Sequence, residues 1–561
     1  QALLAYTPRI SFLPRRRACV QHVLVMTLVP LALSAVLMPV AAASAGTKPN
    51  ILHILVDDFG WADAGWHRPA GYTDLQTPYM DALVRQGVEL DRHYVYKFCS
   101  PTRSAVQSGR NPIHVNTLNL APTMHNPRDP VSGYAAVPRN MTGMAEHMLR
   151  AGYETHMYGK WDAGMATPEH TPHGRGYQKS LHYFHHTNDH WTSQAEKCSG
   201  FGGIVDLWDT DKPAHGQNNT PDCSQDHQEG CAYEDQIFAD RVASAIRGRD
   251  PAKPFFIFWA PHIVHTPLQV PQRYLNHFAF IDNENRRFYH AMVYFVDEAI
   301  GTVTELLKSE GLWDNTLVVL HADNGGPIYH AGSAGANNYP LKGGKMSNWE
   351  GGIRANAFAS GGLLPTAVRG TKQEGLVAGW DWYATFAALA GVDPTDHKAA
   401  AAGLPPHDSH NLWPLLSGQS TTSPRSELAI GSEREVGGLI RDGYKIVVGK
   451  NSQAGWAGPA YPNSTSHWNP DLSIEECGVH PGDGCLYNIM EDPGEHVNLA
   501  SEKPHIFKRM LNRIADINKG FFNPDRGTDD PAACRMATTR YGGFWGPFVG
   551  VESDSTAIEI V

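Results

Sequence analysis

Short apolar runs that stop abruptly on charged or amide side chains recur along this chain, and that pattern limits its fold more than any other. Ile51–Val56 ends at Asp57-Asp58-Phe59-Gly60, and Tyr153–Tyr158 ends at Gly159-Lys160. Leu317–His321 leads into Asp323-Asn324-Gly325-Gly326, and Phe255–Ala260 is a further run of strand length. Between them, residues 141–151 read as a helix, as does Ala291–Ser309, where Phe295, Ala299, Val303 and Leu306 recur at helical spacing. Strands alternating with helices over about 400 residues predict a large α/β layer with both faces covered. Open sheets of that kind gather ligand groups beyond the carboxyl ends of their strands, which is where these acids fall.

Past a small polar stretch at Ser417–Pro424 come shorter strand-like runs, Leu428–Ile430, Gly438–Ile440 and Tyr444–Val448. One amphipathic helix follows, with Ile506, Phe507, Met510, Leu511, Ile514 and Ile517 on a shared face. The expected organisation is therefore a leader over residues 1–45, a catalytic domain over 46–425 and a smaller α+β subdomain over 426–561, which shows no catalytic grouping of its own.

The first 45 residues hold four arginines and no acid, so the remainder carries −15 against −11 for the whole chain. That balance argues against a general nucleic-acid binder, which needs a cationic face to displace counterions. A local cationic pocket for a small anion remains compatible with it. Arg15-Arg16-Arg17, the apolar Val23–Val40 and the small residues 41–46 have the three parts of a secretory signal. The expectation is a cleaved leader and a secreted or lysosomal destination, with membrane attachment only if the leader stays as a signal anchor. Cys19 lies in that leader. The seven cysteines beyond it form an odd set, which marks one thiol as special in an exported protein. Cys477 and Cys485 are close enough for a local bridge, and Cys198 has Cys223 and Cys231 as nearby partners. Sequons at Asn140, Asn218 and Asn463 are consistent with glycosylated surface loops.

The most specific local feature is Cys99-Ser100-Pro101-Thr102-Arg103-Ser104 followed by Ser108-Gly109-Arg110. Together with residues 49–61, Val264–Pro271, Asp323–Gly326 and Lys345–Gly352, it resembles the formylglycine-dependent sulfatase family, within it the group around arylsulfatase B. The match runs from about residue 48 to 425 and continues more thinly through Leu486–Ala500, where Asp-Pro-x-Glu-x-x-Asn-Leu looks like the family's C-terminal segment. The resemblance implies an alkaline-phosphatase-like mixed sheet flanked by helices, with a smaller C-terminal antiparallel sheet and helix. It implies that Cys99 is oxidised to formylglycine by a formylglycine-generating enzyme during maturation. A hydrated aldehyde offers one hydroxyl to attack sulfur and a second whose deprotonation releases sulfate, an exit that a thiol lacks.

The resemblance further implies a Ca²⁺ held by Asp57, Asp58, Asp323 and Asn324, an all-oxygen set suited to a hard cation. Arg103 and Lys160 match the positions that hold the formylglycine, and His265 and Lys345 match the pair that grips sulfate and protonates the leaving oxygen. His262 competes with His265, but His265 aligns with the Pro-Leu-Gln-Val-Pro that follows. Gly343-Gly344-Lys345 lacks the spacing of a nucleotide-binding loop. One position departs from the family: Gly159-Lys160-Trp161-Asp162 carries an acid where the usual motif has a histidine that takes the proton expelling sulfate. The implied substrate is a sulfated glycan or an aryl sulfate. Alternatives are a phosphate or phosphonate ester hydrolase of the same layered fold, and a catalytically impaired sulfated-glycan binder in which Asp162 has ended turnover.

Overall fold

A computed structural model describes residues 48–465, 474–478 and 483–551. The expected leader lies outside these residues. Among the described residues no helix is long and apolar enough to cross a membrane.

A ten-stranded mixed sheet is the centre of the molecule. Its middle is parallel: Lys179–Tyr183, Glu154–Lys160, Phe255–Ala260, Asn50–Val56 and Thr316–Ala322 lie side by side in that order. Beyond Thr316–Ala322, Ala357–Ser360 and Val88–Leu90 continue it, each antiparallel to the strand before, and Thr371–Gln373 closes that edge. Trp208–Asp209 and Lys212–Pro213 close the other edge.

Asn50–Val56 is buried along its whole length. Period-two alternation sends Ile51 and Leu55 into one apolar cluster and Leu52, Ile54 and Val56 into a second one across the sheet. The near-continuous apolar runs of the sequence thus mark strands covered on both faces. The helix Glu284–Ser309 packs on the second face, with Tyr289, Met292, Val296, Ile300, Val303 and Leu307 in that cluster.

The strands agree with the sequence expectation to within a residue or two at each end. The long helix begins earlier than its apolar spacing suggested, at Glu284 rather than Ala291. Asn283 caps it by accepting from Arg286 N at 2.9 Å. The extra turns carry Glu284, Asn285, Arg286 and Arg287, whose polarity hides the periodicity. They are nevertheless used: Arg286 pairs with buried Asp63 at 2.6 Å, and Tyr289 Oη donates to the Asp58 carbonyl at 2.9 Å.

A four-stranded antiparallel sheet follows, in the order Glu427–Gly431, Val436–Arg441, Tyr444–Val447, Cys485–Asn488. The helix Pro504–Asn518 lies on it, with Met510 and Ile514 against Val436, Leu439, Ile446 and Leu486. Leu428, Ile430, Ile440, Val447 and Tyr487 of this sheet join the apolar cluster on the first face of the larger one, and a buried charge cluster adds to that link. Lys445 Nζ reaches Glu350 Oε1 at 3.0 Å and Glu495 Oε1 at 2.9 Å, and Tyr94 Oη donates to Glu350 Oε2 at 2.8 Å.

Disulfides join Cys477 to Cys485, as expected, and Cys223 to Cys231. Cys198 does not pair with either nearby cysteine; it is bonded to Cys534, 336 residues away. The physical reason is the hairpin Gln194–Cys198/Gly202–Val205, against which the segment after Cys534 is laid. Val205 N donates to the Gly543 carbonyl and Trp545 N to the Val205 carbonyl, both at 2.9 Å.

Replacing Lys445 by Met leaves buried Glu495 without its cation and Glu350 with Arg354 at 3.7 Å. The expected cost is about 3–5 kcal/mol of unfolding free energy by denaturant titration. The exposed Lys519→Met control is expected to stay within about 0.5 kcal/mol.

Candidate active site

The five parallel strands all end at one edge, and four of them deliver side chains there directly. Asp57 and Asp58 follow Asn50–Val56, Lys160 ends Glu154–Lys160, His262 and His265 follow Phe255–Ala260, and Asp323 and Asn324 follow Thr316–Ala322. The register aligns these exits, with Val56 beside Ala322 and Ala260 beside Gly159. Gly159 is obligatory there, because its φ is 105° and a Cβ would run into the Ala260 carbonyl.

Cys99 opens the helix Cys99–Ser108, every residue of which is buried. Pro101 sits in the first turn, where its missing N–H costs nothing, and Gly109 ends the helix at φ 67°. One helical turn separates Cys99 from Arg103, so both present to the same face. The Cys-x-x-x-Arg spacing is thus a device for setting a guanidinium behind the cysteine at the electropositive end of a helix.

The nine residues expected to form the site converge. Cys99 Sγ donates to Asp57 Oδ1 at 3.5 Å and Asn324 Oδ1 at 3.4 Å. Lys160 Nζ holds Asp57 Oδ2 at 2.6 Å, and Arg103 Nη2 holds Asp323 Oδ2 at 2.8 Å while its Nη1 donates to the Lys160 carbonyl. Lys345 Nζ lies 2.7 Å from Asp58 Oδ1, and Asn324 Nδ2 donates to the same oxygen at 2.7 Å. His265 Nε2 faces Asp58 Oδ2 at 3.6 Å. His262 turns away, toward Glu234 and Thr187, and stacks on His190 at 3.9 Å.

Charge here is fixed by proximity. Burial pushes Asp57 up, but Lys160, His265, Arg103 and Lys345 together hold its carboxyl well below the usual range. Burial and the Asp57 carboxylate raise Asp323. Burial and Lys345 bring His265 down to about 4, so its ring is neutral at ordinary pH. Its Nδ1 lies 2.6 Å from the Thr266 carbonyl and so carries the proton, leaving Nε2 with the lone pair.

The donor set suits a hard divalent ion. Asp57, Asp58 and Asp323 are completely or almost completely buried carboxylates, and Asn324 adds an amide oxygen. One ligand atom each from Asp57, Asp58, Cys99 and His265 falls within a 4.8 Å cluster.

In the sequence Asp162 stands out only as a departure from the family motif, and its partner carries no mark. Asp162, at φ 47°, accepts from Ser100 Oγ at 2.6 Å and faces His186 Nδ1 with both oxygens, at 3.1 and 3.2 Å. His186 follows the strand Lys179–Tyr183, whose mixed sequence gives no apolar run. The strand-end rule would have found it had that strand been legible.

Known proteins resemble this chain in sequence and in fold. A family model described as Sulfatase matches residues 49–392. Arylsulfatase J of Mus musculus is 31% identical over 529 residues, covering 91% of this chain and 82% of that protein. Arylsulfatase A of Homo sapiens is 28% identical, covering 82% of this chain and 85% of its own. Among solved structures, Ps i-CgsB in complex with k-i-k-neocarrahexaose shares the fold with a TM-score of 0.67 at 24% identity, over 88% of this chain and 97% of that one.

Proposed function

This chain belongs to the sulfatase family and is a sulfuric ester hydrolase, and from that premise we propose that Cys99 works as formylglycine beside a Ca²⁺ held by Asp57, Asp58, Asp323 and Asn324. The observation that carries the reading is the convergence of three cations and four oxygen-ligand side chains on the Cys99 side chain. Bound there, the ion would polarise a sulfate oxygen, and the hydrated aldehyde would supply the attacking hydroxyl.

The chain's own residues account for the remaining work. Arg103 and Lys160 flank residue 99 from behind and hold negative charge on it. Lys345, resting on Asp58, is the donor for a sulfate oxygen and for the leaving oxygen. His265 adds its Nε2 on the same side, where protonation turns it into a second donor. The helix that begins at Cys99 places its electropositive end beside residue 99.

The substrate class in this reading is a sulfated glycan or an aryl sulfate, on the support of the arylsulfatase relatives. A formylglycine-generating enzyme is the maturation partner. The secretory pathway, with a secreted or lysosomal end point, is supported by the leader motif and by three disulfides, which persist in oxidising compartments.

The mass of the peptide spanning Cys99, from protein matured with a formylglycine-generating enzyme, is expected to be that of formylglycine. The same protein is expected to hydrolyse an aryl sulfate in preference to the matching aryl phosphate. An intact cysteine in active protein would end the reading, and preferred turnover of the phosphate would reassign the chain to phosphate or phosphonate esters.

Chelation is expected to abolish activity and lower the melting temperature, and added Ca²⁺ to restore both, since an ion that binds the folded state stabilises it. Lys345→Ala is expected to lower kcat/KM for an aryl sulfate by about 10²–10³ while formylglycine content stays unchanged.

A further inference from the structure

We propose that His186, pinned through Nδ1 by Asp162, is the proton-transferring base of this site. The inference rests on the reading of residue 99 given above and supplies a residue to which no role has been assigned.

The placement comes from the contacts of Nδ1 and from the neighbouring residue Thr187. Ser100, next to Cys99 in the chain, donates to Asp162 at 2.6 Å, and its Oγ lies 3.2 Å from His186 Nδ1. Asp162 is also 3.9 Å from Lys160 Nζ, which in turn holds Asp57. The next residue, Thr187, donates through Oγ1 to the Thr266 carbonyl at 2.6 Å, beside His265. His186 therefore stands between the start of the Cys99 helix and the His265 loop. Its mount is rigid: Asp206 accepts from the Phe184 and His185 amides at 3.0 and 2.8 Å, and the His185 ring packs on Trp545 at 4.9 Å.

The tautomer follows from the partner. Burial pushes Asp162 up, but His186 and Lys160 bring it below its ordinary value, so the carboxylate is ionised and takes the Nδ1 proton as its hydrogen bond. Nε2 then carries a lone pair on a side chain 28% exposed. Among the other side chains at the site, Arg103, Lys160 and Lys345 have no acceptor, and the three carboxylates are held by cations. His265 Nε2 also carries a lone pair, but it lies 3.6 Å from the Asp58 carboxylate, on the side assigned above to the leaving oxygen. In the step assigned to His186, an O–H bond on the residue-99 side chain breaks, its electron pair stays on oxygen, and Nε2 binds the proton. The imidazolium is stabilised by Asp162 until water removes the proton.

The test uses the full mature chain with its formylglycine content measured by mass. His186→Ala is expected to lower kcat for an aryl sulfate by about 10²–10⁴, the usual contribution of a positioned base, with partial recovery on adding imidazole. His186→Gln, which keeps a polar side chain of similar reach, is expected to remain as impaired. Nitrogen-15 NMR, with His186 identified by its loss in His186→Gln, is expected to report the Nδ1–H tautomer in the parent chain and its loss in Asp162→Asn. Unchanged kcat in folded His186→Ala, or an Nε2–H tautomer in the parent chain, would overturn the inference. A parent chain that carries formylglycine yet fails to hydrolyse any aryl sulfate would instead overturn the reading of the site, and the tautomer would still decide the dyad.

Discussion

Asp57, Asp58 and Asp323 sit out of water within reach of one another, and only Lys160, Arg103 and Lys345 make that tolerable. Burying three carboxylates without partners would cost several kcal/mol each, so the cations are a condition of folding as much as of catalysis. The parallel strands satisfy that condition economically. Each exits at the same edge, and the helix behind Cys99 inserts its guanidinium where two carboxylates meet. A sheet with its strands in another order would scatter these charges and could not fold around them dry.

The region beyond residue 426 takes part in the same arrangement without contributing a reacting group. The loop that carries Lys345 is held by Gln453, whose Nε2 donates to the Lys345 carbonyl at 2.7 Å, and by Trp349, whose Nε1 donates to the Ser452 carbonyl at 3.0 Å. Gly343 N donates to the Gly455 carbonyl. Position of the Lys345 ammonium is thus set by segments more than a hundred residues further along, while Lys445 neutralises the two glutamates between the layers.

Much of this was legible in the sequence because fully buried strands must be apolar and their polar exits then stand out. Asp57, Asp58, Asp323 and Asn324 announced themselves in that way, while Cys99 stood out by its Cys-Ser-Pro-Thr-Arg motif and Arg103 took its role from the resemblance. Lys160, Lys345 and His265 were found by resemblance, since a single lysine or histidine has no local pattern to mark it. The strand Lys179–Tyr183 was hidden because its sequence, Lys-Ser-Leu-His-Tyr, has no continuous apolar run, and His186 was hidden with it. The Cys198–Cys534 bond was beyond reach for a different reason: proximity in sequence misleads when a terminal segment returns to a distant hairpin.

That return has a consequence for how the molecule is made. The wall behind His185 and His186 is completed by Trp545, whose indole donates to the Ala195 carbonyl at 3.0 Å, and is locked by Cys534. The side chains proposed to act at the pocket are all encoded before residue 346. During synthesis the pocket therefore waits, one side unbuttressed, until the segment that carries Cys534 and Trp545 leaves the ribosome. A premature stop just before Cys534 would spare the charged groups of the site and still strip the backing from the His185 ring.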